Sequence, residues 1–225
     1  MDHAMTDVKT SRRMKAAATR DAIIRAAHQE FIEQGFHGAT VAAIARRGGV
    51  APQTVYFVFH TKPELISAVI DAAVLGDDDP VPPQDQPWWQ EMRDASDSAE
   101  ALRVFVRNAA PIFARAAAIS EVLRAAALTD PEVRQTFDAH EALRRAAWSE
   151  VLDIVATKGG LRTDRTRGQL LDIFLTTFGD ATYHLYAAEL GWSADEIVDW
   201  MCEALPALLL STGMDRPPKE QGRAR

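Results

Sequence analysis

Cysteine is all but missing from this sequence: Cys202 stands alone among 225 residues. A single thiol excludes an intramolecular disulfide and a cysteine-based zinc site, and on the apolar last helix it reads as a small buried hydrophobe. Long apolar runs are missing too. None approaches the roughly 18 residues of a membrane-spanning helix, and the opening MDHAMTDVKTSRRMK lacks the apolar stretch of a secretory signal. No membrane partner is expected, and a cytoplasmic location is. No stretch alternates apolar and polar residues over strand length, so the fold class expected is all-α. No glycine loop suited to a phosphate is present, and His28 and His37 have no second ligand at a metal-like spacing. Neither a metal nor a cofactor is expected. Positive charge is in deficit, with 25 Lys and Arg against 32 Asp and Glu, which argues against nucleic-acid binding by the molecule as a whole.

The charge is unevenly placed. Residues 1–62 hold nine Lys and Arg against five Asp and Glu, a net of +4, which leaves −11 for the rest. A basic head on an acidic body suits a DNA-binding domain attached to a sensing domain. Within the head, TVAAIARRGGVAPQTVYFVFHTK, from Thr40 to Lys62, reads as two short helices joined by a tight turn. Thr40 is a helix cap, and Val41, Ile44 and Ala45 recur at helical spacing. Gly48 and Gly49 let the chain reverse. Pro52 suits the first position of the second helix, which has no carboxylate between Ala51 and Phe59. Val50 and Val55 can pin it inward, leaving Gln53, Thr54, Phe57 and part of Tyr56 facing outward. Such a face suits a DNA major groove lined by phosphates. Ahead of it, the stripe Ile24, Ala27 and Phe31 marks a first helix from about residue 15 or 19 to 34, stopped by Gly35. Residues 1–14, with Arg12, Arg13 and nearby Lys15, read as a loose basic arm that either touches the DNA backbone or keeps the terminus solvated. After Phe59, Thr61 and Glu64 form a capping box. Lys62 stands at the start of that helix, where its ammonium and the free amides could hold a phosphate.

The pattern T-V-x-x-I-A-x-x-x-G-V-x-x-x-T-V-Y-x-x-F-x-x-K-x-E-L, from Thr40 to Leu65, resembles the signature of the TetR family of bacterial transcriptional regulators, and with the preceding helix the resemblance covers roughly residues 15–75. Ala51 departs from it, standing where many members carry a capping Ser or Thr, and forgoes about 1 kcal/mol of capping. The resemblance implies a three-helix helix-turn-helix DNA-binding domain over 1–62, joined to a larger helical ligand-binding and dimerisation domain over 63–213; residues 214–225 are too polar to pack and are expected to form a disordered tail. The resemblance also implies that Thr40, Tyr56, His60 and Lys62 hold phosphates while Gln53, Thr54 and Phe57 face base edges. Tyr56 has packing between the helices as its alternative role.

In the body, residues 76–96 break helix rules through prolines and an acidic run and read as a long connection, with Trp88 and Trp89 either covering a cavity or anchoring the loop. A helix opening at Asp97 must kink or restart at Pro111. Further helices are expected over 120–128, from Asp130 to Gly159, from about 164 to 190 in one piece, and from Ser193 to about 210. The last two carry apolar residues around most of their girth, among them Leu170, Phe174, Phe178, Leu185, Trp200 and Leu208, so a homodimer through a four-helix interface is expected. The resemblance implies the same. It also implies a cavity for a small-molecule inducer between the helix opening at Asp97 and those over 130–158 and 164–190, with Phe105, Phe113, Trp148, Phe174 and Phe178 as candidate lining. No charged group is placed among them, so a mainly apolar ligand is expected.

The function expected is therefore a ligand-responsive DNA-binding regulator, in the family's usual mode a repressor, that binds a palindromic double-stranded operator as a dimer. The alternative is a helical protein-interaction module whose helix-turn-helix no longer binds DNA, against which the basic head weighs. An enzyme is not expected. Asp180 and His184 lie four apart on one helical face, but no nucleophile, second carboxylate or metal-ligand set accompanies them.

Overall fold

A computed structural model describes residues 2–76 and 81–211. Its described residues are helical throughout, apart from connections and one isolated antiparallel bridge between Leu161 and Leu210. The helices are α1 (Asp2–Gly38), α2 (Val41–Arg47), α3 (Pro52–Val58), α4 (Lys62–Leu75), α5 (Pro87–Asp94), α6 (Ser98–Ala126), α7 (Pro131–Thr157), α8 (Arg167–Thr177), α9 (Asp180–His184) and α10 (Ala194–Leu209). A 3-10 turn covers Pro83–Asp85 and a π turn covers Leu185–Glu189. None is long and apolar enough to cross a membrane. The expected all-α class is what is found. The tail expected over 214–225 lies outside the described residues.

The chain divides into two compact units, and not at residue 62. Among the described residues, the first takes 2–76 together with 115–140; the second takes 81–114 together with 141–211. Both α6 and α7 therefore contribute residues to each unit. The first unit has its own apolar core: Ile23, Ala27 and Phe31 of α1, Ile44 of α2, Val55 of α3, Leu65, Ile66 and Val69 of α4, Ile119 and Leu123 of α6, and Val133 of α7. Bringing α1, α2, α3 and α4 onto one core fixes the short helices, whose own hydrogen bonds are too few to hold them.

Four local expectations are corrected. Helix α1 begins at Asp2 rather than near residue 15, because no glycine or proline interrupts residues 2–34. The connection over 76–96 contains a helix, α5, started by Pro87 and held by the buried Trp89 and Met92. Its Trp89 indole donates to Glu150 Oε1 at 3.0 Å, which makes this tryptophan an anchor. Helix α6 runs unbroken through Pro111 to Ala126, absorbing the helix expected over 120–128. The stretch from 164 to 190 is not one helix but breaks at Phe178–Gly179.

That last break has a visible cause. The buried Trp148 indole N–H donates to the Phe178 carbonyl at 3.1 Å, drawing it out of the helical ladder. At Gly179 a Cβ would stand 2.8 Å from the Leu175 carbonyl oxygen, so only glycine fits there. The helix starts are as the sequence indicates: Asp130 accepts from the Glu132 and Val133 amides, and Ser193 with Glu196 forms a complete capping box on α10. Asp97 does the same for α6, accepting from Glu100 N at 2.8 Å.

Gly179→Ala is expected to destabilise the protein by about 1–3 kcal/mol, through forced shifts of the packed backbone. Chemical unfolding measures this; an unchanged midpoint would show that the break at Phe178 is not sterically required.

Candidate nucleic-acid interface

Helix α2 starts on Thr40, whose Oγ1 accepts from Ala43 N at 3.1 Å while the side chain stays exposed, so its hydroxyl hydrogen remains available to an acceptor outside. The turn after α2 uses its two glycines differently. Gly49 has φ +68°, the left-handed region that favours glycine. At Gly48 a Cβ would lie 3.3 Å from Ile44 O and 3.4 Å from both Ala22 O and Ala26 Cβ, so its bareness lets α2 approach α1.

Helix α3 has no side-chain cap at Ala51 and has Pro52 at its start. Val55 and the following Phe59 are buried and hold it down. Its other side is open: Gln53 is exposed, Thr54 half-buried, Tyr56 57% exposed and Phe57 85% exposed. An almost bare phenylalanine beside a half-bare tyrosine is a costly surface to leave in water. The packing alternative for Tyr56 accounts for less than half of its surface. His60 is exposed, with its backbone N–H on Glu64 Oε2 at 3.1 Å and its ring Nδ1 4.0 Å from the same oxygen. Thr61 caps α4 by accepting from Glu64 N.

Lys62 is placed differently from the other expected DNA contacts. Its side chain turns inward, and Nζ donates to Phe36 O at 2.7 Å and Ala39 O at 3.2 Å while lying 4.4 Å from the centre of the Phe36 ring. Burial pushes its ammonium below the usual lysine range, partly offset by the charge of Asp130.

Arg47 is likewise committed inside the head, a role the sequence reading missed. Its guanidinium meets Glu30, only 6% exposed, at 2.9 Å and Glu33 through two bonds of 2.9 and 2.6 Å. The signal was there: Glu30 and Glu33 lie three apart on the face α1 presents to Arg47. Arg46, by contrast, is exposed at the end of α2, and the Arg20 guanidinium lies 5.0 Å over the Phe59 ring.

In the second unit the five residues expected to line a cavity do come together, as rings packed on one another. Phe105 lies 5.1 Å from Trp148 and 5.3 Å from Phe174, and Phe113 lies 4.9 Å from Phe178. All five are buried, and Tyr183 and the half-buried Trp88 join the same cluster. Asp180 pairs with Arg144 at 2.9 Å, so its carboxylate is held by a guanidinium. Among the described residues no group of His, Cys, Asp and Glu could hold a metal ion.

Of the apolar residues expected at a dimer face, Leu170, Leu171, Phe174, Phe178, Ile197, Met201 and Leu205 are consumed within the protomer's own core. Leu185, Trp200 and Leu208 remain exposed, and so are Leu190 and Trp192, which were not among the expected residues. Tyr186 is gathered among them, its ring 4.7 Å from that of Trp192 and its hydroxyl bonded to the Trp200 indole at 3.2 Å. Cys202 on α10 is half-buried rather than buried.

Residues 23–69 match the family of bacterial regulatory proteins, tetR family. The HTH-type transcriptional regulator UidR of Escherichia coli K12 is 41% identical over 56 residues, which is 25% of this chain and 29% of that protein. The HTH-type transcriptional repressor BepR of Brucella suis biovar 1 is 39% identical over 59 residues, 26% of this chain and 28% of that protein. The chain thus matches less than a third of the length of these relatives, and they are transcriptional regulators, not enzymes. Solved structures extend the likeness in fold to most of the chain. The fatty acid degradation regulator FadR from Bacillus halodurans has a TM-score of 0.63 at 20% identity, covering 83% of this chain and 94% of its own. FadR from Bacillus subtilis in complex with stearoyl-CoA has a TM-score of 0.62 at 16% identity, covering 82% and 96%. A TetR-family regulator from Agrobacterium tumefaciens has a TM-score of 0.63 at 16% identity, covering 87% and 100%.

The Arg47 pair gives a pH dependence. The hydrogen bond from Arg47 holds the Glu33 carboxyl below the usual carboxylate range; desolvation opposes this and the charge of Arg47 adds to it. A depressed carboxylate stabilises the fold above its unfolded value, and that contribution is lost as pH falls through the folded value. Arg47→Met is expected to lower the thermal midpoint at neutral pH, with the gap to the unsubstituted protein narrowing on acidification. Thermal scans from pH 7 to pH 3 check this; a gap that widens on acidification would overturn it.

Proposed function

Since the head of this chain belongs to the tetR family of bacterial regulatory proteins, we propose that the protein is a DNA-binding transcriptional regulator that reads its operator with α3. The observation that carries this reading is the exposed aromatic pair of a half-bare Tyr56 and a nearly bare Phe57 on a short helix free of carboxylates and backed by buried Val55 and Phe59. In this role Gln53 and Thr54 hydrogen-bond base edges and Phe57 meets a thymine methyl. Thr40, Tyr56 and His60 hold phosphates, and Arg46 adds an exposed cation at the end of α2. The reading surface lies within residues 1–62, and sensing and pairing fall to the chain beyond them.

The protein acts in the cytoplasm as a homodimer. Its pairing face comprises Leu185, Leu190, Trp192, Trp200 and Leu208, apolar side chains that a second copy would cover. Two recognition helices then enter successive major grooves about 34 Å apart, and the operator is roughly palindromic. Binding represses, and a mainly apolar small molecule releases it. The ring cluster of Phe105, Phe113, Trp148, Phe174 and Phe178 supports an apolar ligand, which would enter by parting these rings. The stearoyl-CoA crystallised with one structural neighbour carries an apolar acyl chain of this kind, joined to a charged head. Helix α6 carries Phe105 and Phe113 and, farther along, Ile119 and Leu123 of the first unit's core, so a single helix links sensing to reading.

Selection of bound fragments from genomic DNA, followed by fluorescence anisotropy on the recovered site, tests this. Salt-sensitive binding to an inverted repeat is expected, with Phe57→Ala weakening it about 10- to 100-fold and replacement of thymine by uracil in the operator reproducing part of that loss. If no fragment is enriched over random DNA, the regulator reading fails and a helical protein-interaction module takes its place.

A further inference from the structure

Lys62 begins α4, and its side chain crosses to the end of α1. Gly35, at φ 68° and ψ 173°, interrupts α1 there, and a last turn to Gly38 follows. The carbonyls of Phe36 and Ala39 at that end take two of the three ammonium donors, at 2.7 and 3.2 Å. The Phe36 ring below lies 4.4 Å away and is itself stacked on Phe31 at 5.8 Å, so the cation rests on the head's core. Ala39 is directly followed by Thr40, the cap of α2, and Lys62 is directly preceded by Thr61, the cap of α4. One ammonium therefore fixes the spacing between the starts of α2 and α4, and α3 is strung between them.

We propose that Lys62 is a positioning residue for operator binding: it braces α4 against the end of α1 and so sets the pose of the helix-turn-helix, and it is not a phosphate contact. This rests on the regulator reading for its DNA arm. A second observation fits the bracing role. At the same junction the turn between α6 and α7 meets the end of α1, where the His37 ring Nε2 lies 3.2 Å from Thr129 Oγ1. The junction that Lys62 braces is thus also where α6 and α7 touch the head's first helix.

The test compares Lys62→Met, which keeps the stem but removes charge and donors, with the unsubstituted protein across a salt series. A brace predicts operator affinity about tenfold weaker, from lost bonds to a charged group, with the slope of log affinity against log salt changed by less than about 0.3. A phosphate contact predicts a slope smaller by about 0.9, which would overturn the proposal, as would unchanged affinity. Lys62→Gln, a neutral variant that keeps an N–H donor, supplies the same slope comparison if the Met variant folds poorly; here too an unchanged slope is expected and a fall of about 0.9 overturns the brace. Amide exchange without DNA reads the brace directly. Protection in α2 and α3 should fall in Lys62→Met while that of α8 and α10 stays, and Lys62→Arg should restore it; unchanged protection in α2 and α3 overturns the proposal. If the unsubstituted protein binds no operator, the regulator reading fails by itself and the exchange arm still decides on the brace.

Discussion

A helix of seven residues does not persist in water, because fixing its first turn costs more than its few hydrogen bonds return. Helix α3 is such a helix, and it lacks even a side-chain cap. It exists because Val55 and Phe59 are buried against the core that α1, α2 and α4 share. That dependence shapes the whole head. Val55 is the side chain of α3 spent on attachment, and what the helix shows outward is unsupported by packing. The bareness of Phe57 follows from this arrangement, since a ring that added nothing to attachment would otherwise be a liability.

The head's cations divide by the same logic. Arg47 neutralises a nearly buried Glu30, and Lys62 satisfies carbonyls at the end of α1. Neither is spent on the outside. The net charge of the segment therefore overstates the charge left unpaired, and Arg46 is a cation of the head that stays exposed. Charge counts locate a basic region; they do not say which charges are already paired.

In the second unit, aromatic packing and backbone geometry are joined at one place. Trp148 fills the ring cluster and also takes the Phe178 carbonyl, and the chain bends at Gly179, where no side chain fits. The bend turns Asp180 toward Arg144 and leads into the π turn over Leu185–Glu189. The exposed Leu185 and Leu190 follow that bend in the chain.

Much of the head was legible in the sequence. Caps such as Thr40, Thr61, Asp130 and Ser193 act on amides three residues away, and the turn glycines act on their own torsions; such effects are local and leave a fixed spacing in the chain. The apolar stripes that form the two cores were legible for the same reason, since helical periodicity records which side is buried. What only the tertiary structure decided involves partners far apart in sequence. The Lys62 side chain reaches the carbonyls of Phe36 and Ala39, 26 and 23 residues away. Helix α5 forms where prolines suggested none, because Trp89 finds Glu150, and the last long helix breaks because Trp148 reaches a carbonyl 30 residues on. Each is a choice between locally acceptable states whose energies differ by only a few kcal/mol, and a single distant hydrogen bond or buried ring is enough to make it.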